Sequence, residues 1–288
     1  MRITDILNKG GLTVSFEVFP PKTGTAFESV KRACESIAEL HPAFMSVTYG
    51  AGGGTSKYTL DIAENIKKLH GVPSVAHLTC VSSSRATVGE RIRAIRAAGI
   101  ENVMALRGDI PEGHVLGDYR HASELVSELR AAGDFCIGAA CYPEVHPESR
   151  NSVEDIEHLR EKVDVGVDFL TTQMFFDNAL FYSFLYRIRE AGITVPVLPG
   201  IMPITSVAQI ERARVLSGSF MPKRFLSIVD KFGDRPAAMM QAGIVYATDQ
   251  IIDLFANGIR HVHIYTMNKP EVASKILSNL SEILTRGE

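Results

Sequence analysis

The chain has 288 residues, of which 45% are hydrophobic and 22% charged, the composition of an ordinary globular protein with a substantial core. Its formal net charge of -3, without any block of basic residues, argues against a nucleic-acid-binding face. No window approaches the ~20 apolar residues of a membrane span, and the N-terminus lacks the apolar core of a signal peptide. We therefore expect a cytoplasmic protein that makes no membrane contact.

Short β-like runs alternate with longer helix-like segments from end to end, which predicts a parallel sheet with helical crossovers. The eight predicted strands are residues 12–19, 43–49, 73–80, 102–106, 135–142, 169–174, 195–200 and 261–265. A dinucleotide-binding Gly-x-Gly-x-x-Gly turn is missing from the sequence, so a closed barrel fits better than an open doubly wound sheet. We predict an α/β fold, a (β/α)8 TIM barrel, in one domain spanning residues 1–288.

Capping residues mark the ends of several predicted helices. Thr87 and Glu90, at capping-box spacing, predict the start of the helix that ends before Gly99. A glycine also leads out of three later helices, as expected for a left-handed C-terminal cap. Residues 201–257 are too many for one crossover, so we predict two or three helices between strands seven and eight, the last one starting at Pro236.

Chemistry in such a barrel takes place at the C-terminal ends of the strands, where period-two alternation identifies the inward side chains. Glu17 points inward on the first strand, and reduced solvation there disfavours its charged form, as a general acid requires. The alternative is a structural ion pair with an inward Arg or Lys.

Further polar groups lie at the other strand ends. The strand 102–106 runs into Arg107, Gly108 and Asp109, and the third strand directs His77 inward. The fifth strand ends in a loop that two prolines restrain, and the sixth ends near Gln173, which we assign to ligand binding.

We expect no metal site. The cysteines lack Cys-x-x-Cys spacing, which predicts reduced, buried thiols. His261 and His263 share a strand face without a third ligand. Hydrogen-bonding groups around one or two acids instead suit a site where an organic cofactor performs the chemistry.

Six motifs together resemble the bacterial type of the methylenetetrahydrofolate reductase family, in order and over nearly the whole chain. They are SFEVFPPK (15–22), SVTYGA (46–51), HLTC (77–80), ALRGD (105–109), YPEVHP (142–147) and PGIMP (199–203). The resemblance implies flavin-dependent reduction of 5,10-methylenetetrahydrofolate to 5-methyltetrahydrofolate, with FAD or FMN bound and NADH or NADPH as electron donor. We further expect a homo-oligomer.

The resemblance also implies roles for individual residues. Glu17 matches the general acid that protonates the folate nitrogen, and Asp109 matches an aspartate near flavin and pterin. Gln173, Gln209 and Lys269 would contact the folate substrate. The positions implied for flavin binding are Thr48, Tyr49, Ala51, His77, Arg107, Gly108, Asp109, Ala122, Tyr142, His146, Asp155 and Lys162.

Three positions depart from the family pattern. His158 and Glu161 stand where an asparagine and a basic residue are common, which leaves FAD and FMN both open. Ala213 stands where a large apolar residue often packs on the nicotinamide. The electron donor therefore stays open between a nicotinamide cofactor and a partner protein.

Overall fold

A computed structural model describes residues 1–21, 24–49, 56–110 and 117–285 of the chain. Its strands are β1 Thr13–Val18, β2 Met45–Val47, β3 Ser74–Thr79, β4 Asn102–Leu106, β5 Cys136–Cys141, β6 Phe169–Thr172, β7 Val197–Leu198, β8 Gly200–Ile201 and β9 His261–Tyr265. Every observed pairing between them is parallel. The alternation seen in the sequence is thus confirmed as a parallel sheet.

Helices follow the strands in the order expected of repeated βα units. They are α1 Ile3–Asn8, α2 Phe27–Ala38, α3 Ser56–His70, α4 Arg85–Ala97, α5 Ala122–Ala132, α6 Ser152–Asp164, α7 Asn178–Glu190, α8 Val207–Ser217, α9 Lys223–Phe232, α10 Pro236–Ala256, α11 Pro270–Asn279 and α12 Ser281–Leu284, with a 3-10 turn at Gly24–Ala26. Three helices, α8 to α10, separate β8 from β9, which confirms the predicted insertion.

The sheet closes into a barrel through the predicted seventh strand. Its first half, β7, pairs with β6, and its second half, β8, pairs with β9. Pro199 lies between the halves, where it has no N–H to continue the ladder but accepts a hydrogen bond from His263 N at 3.0 Å. The nine observed segments therefore form the eight-stranded barrel that the sequence predicts.

Apolar side chains fill the N-terminal end of the barrel interior. Phe44, Val75, Met104 and Phe169 meet there, and helix α1 adds its own apolar side chains to the same buried cluster. A larger core lies between the strands and the surrounding helices. This end of the barrel is filled and covered by α1, and Glu17 and His77 lie toward the opposite end, where the strands terminate.

Most predicted helix ends are confirmed. Each of the four helix-exit glycines has a positive φ, the left-handed conformation that a Cβ disfavours. The start of α4 is a correction: the helix begins at Arg85, and Ser84 is the cap, its side chain accepting a hydrogen bond from Thr87 N at 3.2 Å. Thr87 therefore lies inside the first turn. A serine three residues earlier offers the same capping chemistry and takes the role.

All four cysteines are free and buried, as expected. Burial raises the pKa of Cys141 to about 12, so this thiol stays protonated. Within the described residues, no three His, Cys, Asp or Glu side chains come together as metal ligands. None of the helices described in this structure combines the length and apolar character needed to cross a bilayer.

Gly200 is required at the point of closure because two oxygen atoms lie too close to the position that a Cβ would take. An added Cβ would lie 2.3 Å from the Tyr265 hydroxyl and 2.4 Å from the carbonyl oxygen of Thr172. We predict that Gly200→Ala lowers the free energy of unfolding by about 1–3 kcal/mol, measured by urea denaturation. Gly10→Ala is the matched control, since its methyl group would meet no heavy atom within 4 Å. Equal stability of the two variants would contradict the close approach.

Candidate functional site

Glu17 lies inside the barrel mouth, surrounded by side chains from three other strands. Its Oε2 atom is 3.6 Å from Nε2 of His77, 3.8 Å from Nε2 of His263 and 3.4 Å from Oγ of Ser46. No Lys or Arg within the described parts of the chain forms a salt bridge with this carboxyl group. The described residues therefore do not form the alternative arrangement, an ion pair between Glu17 and an inward Arg or Lys.

The histidines beside Glu17 are deeply buried. Burial lowers the pKa of His77 to about 4, with Glu17 opposing and His263 reinforcing the shift, so the His77 ring is neutral at neutral pH. His263 has a side chain only 1% exposed and bonds Ser15 and Ser46 through its two nitrogens, at 2.7 and 2.9 Å. Buried histidine and serine side chains thus surround the acid.

The loop after β9 holds the backbone of Glu17 and Phe19 in place. Thr266 Oγ1 donates to the carbonyl oxygen of Glu17 at 2.7 Å. The Asn268 amide accepts from Phe19 N at 3.0 Å and donates to Phe19 O at 2.8 Å. Met267 and Asn268 both have φ of 53°, a left-handed conformation that asparagine tolerates and methionine rarely adopts. This strained turn fixes the position at which β1 leaves the barrel.

Tyr265 crosses the mouth from β9 and donates its hydroxyl hydrogen to the carbonyl oxygen of Thr172 on β6. The side chain passes over Gly200, which explains why no Cβ fits there. Burial, with a smaller contribution from Glu17, raises the pKa of Tyr265 well above its ordinary value. The phenol therefore stays protonated and serves as a fixed donor beside the acid.

Arg107 and Gly108 follow β4 at the mouth. The Arg107 guanidinium forms a two-pronged ion pair with Glu148, with Nη1 lying 2.7 Å from Oε2, and this contact lowers the pKa of the Glu148 carboxyl. Gly108 has φ of 89°, and a Cβ there would lie 2.9 Å from Cγ1 of Val81. Asp109 is exposed to solvent at the end of this segment.

Residues that follow β5 line the mouth next to those that follow β4. The side of the mouth formed by the ends of β2 to β5 is called the β2 to β5 arc below. The rings of Tyr142 and His146 meet edge to face at 4.5 Å. Burial, with a smaller contribution from Asp109, raises the pKa of Tyr142 to about 12. Lys162, on α6, donates to the carbonyl oxygen of Ala140 at 2.6 Å, and burial lowers the pKa of its ammonium group.

Three other predicted flavin positions lie at starts of helices or ends of strands on this arc. Asp155, on α6, accepts from Ser149 Oγ at 3.0 Å. Ala122 is the first residue of α5, and Thr48 follows β2, where Thr59 Oγ1 donates to its carbonyl oxygen at 2.9 Å. Successive strand ends from β2 to β5 thus carry most of the set.

The Tyr49 ring lies against the Arg91 guanidinium, 5.3 Å from the ring centre. It borders a cavity of about 260 Å³ between α3 and α4 that also includes His77. Ala51, the remaining predicted flavin contact, lies outside the described residues.

The predicted folate contacts lie on the other side of the mouth. Gln209 accepts from the Thr205 backbone N at 2.7 Å and from its hydroxyl at 3.0 Å. Lys269 Nζ lies 2.8 Å from Thr205 Oγ1. Thr205, which sequence reasoning missed, therefore joins these two residues. Gln173 follows β6, its side-chain oxygen accepting a hydrogen bond from Met174 N at 2.9 Å.

The three departures from the family pattern occupy different surroundings. His158 and Glu161 are solvent-exposed on α6, whereas Lys162 on the same helix turns toward β5. Ala213 is 3% exposed and belongs to a core cluster that joins apolar side chains of α8 to α10, such as Phe225, to Phe176 and Met202, which follow β6 and β8. It therefore packs where the inserted helices meet the ends of the strands.

A sequence model of the methylenetetrahydrofolate reductase family matches residues 2–281. The 5,10-methylenetetrahydrofolate reductase of Pectobacterium carotovorum is 34% identical over 94% of this chain and 91% of its own length. The enzyme of Escherichia coli K12 is 34% identical, covering 94% and 92% of the two chains. The Zea mays protein called methylenetetrahydrofolate reductase (NADH) 1 is 35% identical, and the match covers 98% of this chain but 50% of the maize protein.

Solved structures support the fold. A Clostridium thermocellum protein described as binding two copies of 5-methyl-5,6,7,8-tetrahydrofolic acid aligns with a TM-score of 0.71 at 14% identity, over 98% of this chain and all of its own. Dihydropteroate synthase from Xanthomonas albilineans aligns with a TM-score of 0.53 at 16% identity, over 96% and 94% of the two chains. At such low identity these likenesses show the barrel architecture alone.

The lowered pKa of His77 makes folding stability depend on pH. The unfolded ring takes up a proton below its ordinary value of 6.5, while the folded ring does so only near about 4, so acidification between these values favours unfolding. We predict that His77→Gln reduces the loss of unfolding free energy across this window by up to about 3 kcal/mol. Urea denaturation at a series of pH values measures it. Parallel pH dependence of the variant and the original chain would contradict the prediction.

Proposed function

The chain belongs to the methylenetetrahydrofolate reductase family, and we propose that it reduces 5,10-methylenetetrahydrofolate to 5-methyltetrahydrofolate with a bound flavin and a nicotinamide cofactor. The observation that carries the proposal is Glu17, a carboxyl group inside the barrel mouth that lies among histidine and serine side chains. Such surroundings suit an acid that gives a proton to a substrate nitrogen. Relatives that share nearly the full length of this chain carry the name of that activity.

The residues on the β2 to β5 arc fit a flavin. His77 Nε2 is buried, and the described residues offer it no hydrogen-bond partner, so a ligand atom would satisfy it. Arg107 and Lys162 supply cationic donors suited to phosphate groups, and Gly108 lets a ligand approach the backbone closely. Bound flavin would carry hydride between the nicotinamide and the folate.

We favour FAD over FMN because the arc extends beyond β5 onto α6. Asp155 and Lys162 lie there, on the side of the helix that faces Ala140 and the loop after β5. Glu161 is exposed, so water screens its charge and weakens any repulsion of a diphosphate. Quantifying the flavin released on denaturation, by chromatography against both standards, decides between the two.

The folate side of the mouth presents donors and acceptors in a fixed arrangement. Thr205 links Gln209 to Lys269, and Gln173 lies at the end of β6. In our proposal these residues orient the pterin and the glutamate moiety so that Glu17 reaches the nitrogen that leaves the ring. Proton donation opens the five-membered ring, and Tyr265 keeps the neighbouring space polar but uncharged.

A second candidate is a folate-reducing subunit that takes its electrons from a partner protein. Ala213 favours it, because this small side chain is buried in the helical core and offers no large apolar surface to a nicotinamide ring. The two candidates share the flavin and folate chemistry and differ only in the source of electrons.

We expect NADH to bleach the flavin absorbance of the purified protein in an anaerobic titration. Added 5,10-methylenetetrahydrofolate should then restore it. Folate reduction that needs prior reduction by dithionite would instead indicate a partner protein as the electron donor. Protein that purifies without flavin, and gains no activity when FAD or FMN is supplied, would contradict the proposal.

Glu17→Gln separates the two half-reactions. The amide cannot donate the required proton, so we expect a loss of folate reduction of about 10²-fold or more while flavin reduction by NADH is retained. Glu28→Gln, the same substitution at an exposed carboxylate of α2, is the matched control and should leave both half-reactions unchanged. Rapid-mixing absorbance measures each step, and normal folate turnover by Glu17→Gln would refute the acid role.

A further inference from the structure

Thr205, in the loop that follows β8, joins the residues on the folate side of the mouth into one hydrogen-bonded unit. Its backbone N donates to Oε1 of Gln209 at 2.7 Å, and its hydroxyl donates to the same oxygen at 3.0 Å. Lys269 in turn donates from Nζ to the hydroxyl oxygen at 2.8 Å. The loop after β8 is therefore connected both to the first turn of α8 and to the residue that precedes α11.

The directions of these bonds fix the orientation of the Gln209 amide. A backbone N–H can only donate, so the atom of Gln209 that lies beside Thr205 N is the amide oxygen. A lysine side chain brings donors and no acceptor, so the Thr205 oxygen accepts from Lys269 and its hydrogen is left for Gln209. The amide oxygen thus has two donors, and the amide nitrogen is turned away from Thr205.

Both side chains keep donors that no described residue uses. The amide nitrogen of Gln209 donates to no residue in the described ranges of the chain. Lys269 uses one of its three N–H bonds on Thr205 and forms no salt bridge with any carboxylate that the structure describes. Gln209 and Lys269 therefore present donors alone to a ligand, and one of the two groups is cationic.

A carboxylate is the ligand group that suits these donors best. It has two oxygen atoms that only accept, it carries the opposite charge, and charge-assisted hydrogen bonds are stronger than neutral ones. In a folate the carboxylates belong to the glutamate moiety. We propose that Thr205 is a positioning residue, whose hydroxyl holds the Gln209 amide and the Lys269 side chain together as a receptor for a carboxylate of that moiety. The identity of the ligand rests on the proposed function.

The surrounding fold holds Thr205 in place. This residue is 4% exposed, and Ile204 before it is 1% exposed. Helix α10 lies directly against the same segment, because a Cβ on Gly243 would collide with the carbonyl oxygen of Ile204. Since the loop is fixed by packing, the receptor is organised before a ligand binds, and binding loses little conformational entropy at these residues.

Helix capping is the structural alternative for Gln209. This residue is the third of α8, where a glutamine side chain accepts from a backbone N–H at the start of the helix, as Gln209 does from Thr205 N. Capping needs only that backbone bond. It needs neither the Thr205 hydroxyl nor the contact of this hydroxyl with Lys269, so removal of the hydroxyl separates the two roles.

Thr205→Val removes the hydroxyl and keeps the backbone N–H. We expect the KM for 5,10-methylenetetrahydrofolate to rise about tenfold, with kcat within about twofold and flavin reduction by NADH unchanged. Thr205→Ser restores a hydroxyl and should restore the KM. Thr248→Val is the matched control, because it removes a buried hydroxyl that bonds the carbonyl oxygen of Ile244 within α10, and it should leave the KM unchanged. An unchanged KM in Thr205→Val would overturn the inference.

A ligand without the glutamate moiety identifies the group that the receptor holds. Calorimetric titration of the purified proteins with 5-methyltetrahydrofolate, and with the corresponding tetrahydropteroate, measures binding without any redox step. We expect Thr205→Val to weaken binding of the folate about tenfold and to leave binding of the pteroate unchanged. Equal losses for the two ligands would overturn the assignment to a carboxylate.

These measurements also separate the inference from the proposed function. If the chain reduces folate, yet Thr205→Val alters neither KM nor binding, the inference fails and the proposed function stands. If the chain reduces no folate, yet Thr205→Val weakens binding of the folate and not of the pteroate, the receptor stands and the proposed function fails. If neither ligand binds to the unmodified chain, both are overturned.

Discussion

Closure of the barrel at Pro199 is the constraint on which the rest of the site depends. A few residues on either side of this proline must bond β6 on one flank and β9 on the other. β9 in turn pairs directly with β1, which places His263 and Tyr265 beside Glu17, and the closure brings β6 to the same side of the mouth. The missing side chain of Gly200 then leaves the space through which Tyr265 reaches Thr172. Backbone pairing and site chemistry are therefore parts of one arrangement.

The barrel could be predicted from the sequence because each βα unit carries its own local signals. Apolar runs that end in polar residues indicate the strands. Glycines such as Gly99 and Gly258, which have positive φ, indicate the ends of helices. Local signals failed where two residues offer the same chemistry, as with Ser84 and Thr87 at the start of α4. Local signals also could not show that the seventh strand divides at Pro199. That division arises because one half pairs with β6 and the other half with β9.

The candidate site was predictable in its inward residues but not in their partners. Alternation placed Glu17 and His77 inside the mouth, and the structure brings them to 3.6 Å. The contacts of Arg107 with Glu148, and of Lys269 with Thr205, join loops that lie far apart in the sequence. No periodicity encodes such pairs. His263 was visible as one of two histidines on a strand face, yet its hydrogen-bond partners are serines contributed by β1 and β2.

The bonds from Thr266 and Asn268 to the backbone at Glu17 and Phe19 connect the beginning of the chain with its end. Contacts between such distant residues pay a large loop-closure entropy and form slowly during folding. During synthesis, β1 emerges from the ribosome long before its partner β9 exists, so its edge on that side has nothing to pair with. The surroundings of the acid are thus completed among the last parts of the fold, and a partly made chain cannot hold Glu17 in a working position.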